Sequence, residues 1–336
     1  MRILLRPRWP VLALLLLAPT IPELLTGSTP ISELVLNPGG FAVAFAGIVG
    51  LYGTGALLIR EFAVKFRKGW ASILLLGAAY GIAEEGLAVH TFFEPAGLSP
   101  VGALGAYGHA FGVNWLWALG LTAFHAVYSI ALPILLVQLW FPEAREARWL
   151  DRGSTTLVAV VYVFVVALFA TVVGHGPSVP LLALFLAIEA VLVYVAFRVP
   201  PDLLAVRPGP PRVGRWGLGG AGALFFTAWT LVLALSGSRG RVPAVAAGAL
   251  LVAMSLVALF VILRWVGRDG LDRSKLRFAV GMLGVLFGWD VVVEFSVPGI
   301  LAVSVAIALL LYHLDRLLDA RARRSVPLGV PGGHAP

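Results

Sequence analysis

The stretch ASILLLGAAYGIAEEGLAVHTFF, residues 71–93, is apolar at almost every position yet carries two adjacent acids, Glu84 and Glu85. A helix crosses a bilayer with about 20 mostly apolar residues, and this stretch is long enough. An acid at bilayer depth costs roughly 2.5–3.5 kcal/mol on insertion scales, so such acids are generally paired or functional. The stretch therefore reads both as a membrane span and as a place where carboxylates are required.

The rest of the chain agrees with a membrane reading. Of its 336 residues 60% are hydrophobic and only 12% charged, with a mean hydropathy of +0.94. Soluble domains carry about 25% charged residues. There is no cysteine, which excludes disulfides and thiolate metal centres. The net charge of +8 is not a nucleic-acid signature, because the basic residues sit in short segments between apolar runs. The expected surroundings are the lipid bilayer and a membrane peptide or small ion as substrate, with no nucleic acid.

Apolar runs place about ten spans, at 9–27, 41–59, 71–93, 114–141, 155–174, 179–198, 217–236, 243–263, 278–296 and 297–314. The fold class expected is an all-α polytopic helix bundle, one domain over 1–324, with its motif core at 71–141 and a disordered tail at 325–336. The long fourth span is expected to tilt or kink at Pro133. The first run reads as an uncleaved span, since Pro19, Pro22 and Glu23 interrupt the place where a signal-peptide cleavage site would fall.

Lysine and arginine then set the orientation. With the N-terminus inside, 23 of the 25 basic residues fall on one side, and only Arg239 and Arg241 on the other. Both termini are therefore expected in the cytoplasm. The preference for arginine over lysine, with abundant Ala, Gly, Leu and Val, suggests a GC-rich genome, and the expected location is the plasma membrane of a prokaryote. Loop 94–113, Gly-rich and free of Lys and Arg, reads either as a lid over a site or as an ordinary surface loop.

The polar residues within spans carry the functional signal. Glu84 and Glu85 are followed by His90. His125 lies four residues before Ser129 in the fourth span, and Asp290 and Glu294 lie one turn apart on one helix face. Glu189 stands alone in the sixth span, and Glu23 lies near the end of the first. On the assigned topology Glu84, Glu85, His125, Asp290 and Glu294 fall at similar depth, so one polar cavity could serve them all. Gly77-x-x-x-Gly81 before Glu84 echoes Gly284-x-x-x-Gly288 before Asp290. Such pairs of glycines let helices approach closely, which suggests that spans three and nine pack together. The loop residues His109 and His175, His313 at a span end and His334 in the tail read as ordinary polar positions.

A carboxylate pair beside a histidine can activate water, one Glu taking its proton while the imidazole polarises a carbonyl. It can also carry a proton or cation across the membrane. A divalent metal such as zinc or manganese suits carboxylate and imidazole ligands, but no His-Glu-x-x-His motif marks one, so the cofactor stays open. The Glu84-Glu85 pair with His125-x-x-x-Ser129 on the next span resembles the superfamily of CAAX-type and bacteriocin-processing intramembrane proteases, including its PrsW-like branch. Leu121 and Ser129 stand where that superfamily has Phe and Asn or Asp, and no Arg or Lys follows the glutamate pair. The resemblance implies an intramembrane endopeptidase, with Glu84, Glu85 and His125 catalytic and His90, Ser129, Asp290 and Glu294 supporting. A proton- or cation-coupled transporter and a non-catalytic membrane scaffold remain the alternatives.

Overall fold

The computed structural model describes residues 8–93, 107–173, 176–204, 217–224, 227, 242–261 and 272–325. Nine apolar helices dominate them: α1 (Trp9–Leu24), α2 (Pro38–Lys65), α3 (Trp70–Ala88), α4 (Trp115–Trp140), α5 (Arg152–Val172), α6 (Val179–Arg198), α7 (Ala244–Val261), α8 (Asp272–Val293) and α9 (Ile300–Ser325). Seven are long and apolar enough to cross a membrane, while α1 and α7 are shorter apolar helices. The fold is an all-α polytopic bundle. The expected span 217–236 is helical over 217–224, and the remainder falls largely outside the described residues. So do residues 94–106 of the expected lid, His175, and the tail from 326 onward.

Helices α1 to α4 build the core. Leu14, Ile21, Leu51, Leu57, Ile130 and Ile134 are almost wholly buried among them. Helix α3 packs on the middle of α4 and on α6, and α1 packs on α2 and the second half of α4. By contrast, α5 presents Leu157, Val160, Val163 and Phe164 outward, and α6 presents Val191 and Tyr194. An apolar face left exposed on a spanning helix belongs against lipid tails, where the hydrophobic cost of exposure vanishes.

Four of these helices contain a π-helical turn: Thr20–Leu24 closes α1 and Ala83–Ala88 closes α3, while Val49–Gly53 interrupts α2 and His125–Ala131 interrupts α4. Each has a local cause in sequence. Pro22 lies inside the first, Gly50 and Gly53 inside the second, and Gly86 inside the third. Pro133 follows the fourth and cannot donate to the carbonyl of Ser129. The irregularity expected at Pro133 is thus a widened turn just before it. Such turns concentrate at functional sites, and here each carries one part of the polar cluster described below.

Several boundaries differ from the sequence expectation: the expected 41–59 runs from Pro38 to Lys65 and 278–296 from Asp272 to Val293, and two further ends have a visible cause. Helix α3 ends at Ala88, not at 93: His90 adopts a left-handed backbone (φ 60°) and Thr91–Phe93 forms a 3-10 turn. Helix α9 runs to Ser325, well past 314, because Leu314 and Leu318 remain buried and Arg321 bonds the carbonyls of Leu139 and Trp140 at 2.8 and 3.0 Å. Before α4, His109–Ala110 and Val113–Asn114 pair as a small hairpin. Its two turn residues, Phe111 and Gly112, both have positive φ, as the tight turn that matches strand twist requires.

The basic segments meet at one end of the bundle. Arg60 bonds the carbonyls of Ala144 and Arg145, each at 2.9 Å. Arg145 pairs with Asp272 at 2.7 Å, and Lys68 reaches the carbonyl of Val199 at 3.2 Å. Arg60, counted from sequence among the loop cations, is instead fully buried. It is held by Glu61 at 2.5 Å and lies over the Trp149 ring at 3.6 Å.

Candidate functional site

Adjacent residues of an α-helix point about 100° apart, so Glu84 and Glu85 would ordinarily diverge. The π turn Ala83–Ala88 changes this. Its longer ring is closed by the amide of Val89 on the carbonyl of Glu84 at 2.8 Å, and more residues per turn bring neighbouring side chains closer in direction. Both carboxylates reach one imidazole. Glu84 Oε2 lies 2.9 Å from His125 Nδ1, and Glu85 Oε1 lies 2.8 Å from His125 Nε2. Ser129, one helical turn beyond His125, places its Oγ 2.8 Å from Nδ1. All four side chains are buried.

Close helix contact makes this reach possible. A Cβ on Gly77 would stand 2.9 Å from Ala126 Cα, and one on Gly81 would stand 3.0 Å from His125 Cβ. These glycines therefore hold α3 against α4. The second glycine pair does not mirror them, since a Cβ on Gly284 or Gly288 would meet nothing within 4 Å. The expected pairing of spans three and nine gives way to α3 on α4.

The cluster extends further than the sequence reading reached. The Tyr52 hydroxyl hydrogen-bonds Glu84 Oε1 and lies 2.5 Å from Glu23 Oε1. Thr29 donates to the other Glu23 oxygen at 2.7 Å. On the far side Thr91 donates to Glu85, and Trp117 Nε1 donates to Thr91 at 3.2 Å. The result is a line of close polar contacts from Thr29 through Glu23, Tyr52, Glu84, His125, Glu85 and Thr91 to Trp117, hydrogen-bonded at every step but the 2.9 Å Glu84–His125 contact. A phenol has a single proton to give. It can donate to only one of Glu23 and Glu84, so the contact with the other needs a proton on that carboxyl. Tyr52 and Thr91 had no sequence signal, being isolated polar residues in apolar or turn sequence.

Other candidates lie elsewhere. Asp290, expected in the shared cavity, bonds Ser304 of α9. Glu294 accepts from the backbone amides of Gly299 and Leu301 at 2.8 and 2.9 Å. These contacts serve the turn between α8 and α9, so the two acids form a separate structural pair. His90 is buried, but among the described residues the three-member ionisable group is Glu84, Glu85 and His125. The ligand atoms of that group lie within 4.8 Å of one another, which is compact enough for a metal. Yet the carboxylates bracket the ring, one at each nitrogen, instead of converging on a point. An imidazole offers one nitrogen to one ion, so both carboxylates could join it on a metal only if the ring or the acids turned. The arrangement fits a proton-bearing imidazole better than a metal ligand.

Fold and site together define a polytopic membrane protein with a buried carboxylate–imidazole–carboxylate cluster. Residues 12–317 match the model described as an uncharacterized membrane protein family, and the chain belongs to that family. No curated protein and no solved structure matches it.

Proposed function

We propose that this protein is an intramembrane hydrolase acting on a membrane-embedded peptide, in keeping with its resemblance to the CAAX-type and bacteriocin-processing proteases. The observation that carries this reading is the bracketing of His125 by Glu84 and Glu85 at 2.9 and 2.8 Å. A general base must lie within hydrogen-bond reach of the proton it takes, directly or through one water. In this reading water enters beside the cluster and one glutamate takes its proton as the oxygen attacks the scissile carbonyl. As that glutamate takes the proton it releases its ring nitrogen, and the imidazole N–H freed there donates to the developing oxyanion. The proton then passes from the carboxyl to the leaving amine. Ser129 fixes the ring, and Thr91 fixes Glu85.

The test compares membrane peptides from cells making the wild-type protein, Glu84→Gln, Glu85→Gln or His125→Ala, each at matched abundance. A cleavage product present with wild type and absent with all three variants supports the hydrolase. Identical peptide profiles in all four cultures sink it. The line of close polar contacts from Glu23 to Glu85 favours one second reading, a proton-coupled transporter. There Glu84→Gln would abolish dependence on a proton gradient in proteoliposomes and leave no peptide change.

We place both termini in the cytoplasm of a prokaryotic cell, on the charge asymmetry. Because the chain has no native cysteine, Arg67→Cys gives a single reporter. Its labelling by an impermeant maleimide in intact cells would overturn the orientation.

A further inference from the structure

A second site lies at the basic end of the bundle, away from the glutamate–histidine cluster and independent of its function. Here a cavity of about 540 Å³ is lined by Arg60, Arg67, Lys68, Arg145, Trp70 and Glu146, among others. Part of its charge is used internally. Arg60 is paired with Glu61 and Arg145 with Asp272. That leaves Arg67 and Lys68 with Glu146 as the acid lining the same cavity. Lys68 spends one of its three protons on the carbonyl of Val199 and keeps two for another acceptor.

Two guanidinium donors of residues beside the cavity are unmet. The Nε–H groups of Arg60 and Arg145 are both buried with no hydrogen-bond partner. Arg60 as a whole is fully buried. A buried donor without an acceptor is unfavourable, more so beside a charge, and both guanidinium groups belong to residues that line the cavity. Ala63, Val64, Ile73 and Trp70 supply an apolar wall beside the cations. Basic cavities between spanning helices at the headgroup level are suited to anionic lipid heads, and guanidinium forks match phosphate oxygens.

We propose that this cavity binds a phosphate ester, presented by the headgroup of an anionic phospholipid. Arg67 and Lys68 contact its oxygens, Arg60 and Arg145 add positive charge to the wall behind them, and Trp70 with Val64 and Ile73 covers the glycerol and upper acyl chain. The same phosphate chemistry could come from soluble phosphate, and the experiment separates the two sources.

The full chain in a neutral maltoside detergent is titrated with phosphatidylglycerol or phosphatidylcholine, and bound lipid is read by native mass spectrometry. Wild type should prefer phosphatidylglycerol. The pair Arg67→Gln, Lys68→Gln should weaken that binding roughly 30-fold, the worth of two basic groups at a membrane surface. Arg323→Gln with Arg324→Gln, exposed at the end of α9, should leave it within about twofold. Arg67→Gln alone should cost about fivefold; its side chain is exposed, so folding is preserved, which the unfolding temperature without lipid verifies. Displacement of phosphatidylglycerol by millimolar inorganic phosphate would show that the phosphate group alone suffices. Retention would show that the lipid is the required source. Equal binding of the two lipids, or equal loss in the α9 control, overturns the proposal.

Discussion

Gly81 lies close against His125: a Cβ on Gly81 would stand 3.0 Å from the Cβ of His125 and 3.1 Å from Thr122 Cα. Neither neighbour is the end of a flexible side chain, so a methyl group there must move the helix that carries His125. Gly81→Ala should lower stability by about 1–3 kcal/mol, the usual cost of overpacking. It should also disturb the ring held between Glu84 and Glu85. Gly284→Ala is the control. It has open space around it, and replacing a helical glycine there should be neutral or gain up to about 1 kcal/mol. Detergent unfolding of the two variants checks this, and equal effects would remove the close approach as an explanation.

Tyr52 is expected to couple Glu23 to the cluster. Tyr52→Phe keeps the ring that packs 5.9 Å from Tyr80 and 6.0 Å from His125, but it strips a partner from both Glu23 and Glu84. Leaving a buried acceptor unmet costs about 1–3 kcal/mol. If the hydroxyl acts through Glu84, Tyr52→Phe and Glu84→Gln will not add. Their coupling energy should reach about 0.5–3 kcal/mol, as for contacting residues. Additive unfolding free energies in the double-mutant cycle would show that the two groups act separately.

Why the sequence revealed the cluster but not its extent can be argued from these same residues. Glu84, Glu85 and His125 stood out because ionisable groups are costly in apolar spans. Tyr52 did not, since an amphipathic ring carries no such cost in a helix. Topology placed Asp290 and Glu294 at the right depth but could not say which neighbour they faced. That was decided by the turn to α9, where Ser304 and the amides of Gly299 and Leu301 wait as partners. The π turns were also illegible as such: Pro22, Gly86 and Pro133 mark irregularity, and only packing decides that it takes the form of a widened turn. Charge counting likewise read Arg60 as a loop cation because it adjoins Lys65, Arg67 and Lys68, while its burial depends on Glu61 and Trp149.

The Arg60–Glu61 pair makes a stability prediction of its own. Glu61 accepts from Arg60 and from the amides of Trp149 and Leu150, at 2.9 and 3.2 Å for the latter two. Removing one member of a buried ion pair strands the other and costs about 3–5 kcal/mol. Glu61→Gln should therefore destabilise strongly, and Glu61→Gln with Arg60→Met should recover part of the loss, because no unpaired charge is left. Unfolding free energies of the single and double variants decide the matter; a double variant less stable than Glu61→Gln alone would mean that the Arg60 contacts with Ala144, Arg145 and Trp149 outweigh the stranded charge.

Glu294 makes the connection between α8 and α9 dependent on pH. Its side chain lies just beyond the end of Asp272–Val293 and receives the amides of Leu301 and Gly299, groups that open a helix and favour negative charge. Those two hydrogen bonds hold its carboxyl below the ordinary value of 4.5. A carboxyl whose folded value lies below its unfolded value stabilises the fold fully above the unfolded value, and that contribution is lost as pH falls through the folded one. Wild type should therefore unfold at a higher temperature than Glu294→Gln at neutral pH, and the gap should narrow as the pH drops below 4.5. Subtracting the variant removes the titration of every other acid. A gap that stays constant from neutral to strongly acidic pH would show that the carboxylate charge contributes nothing to the cap, and that the amide oxygen of glutamine holds Gly299 and Leu301 equally well.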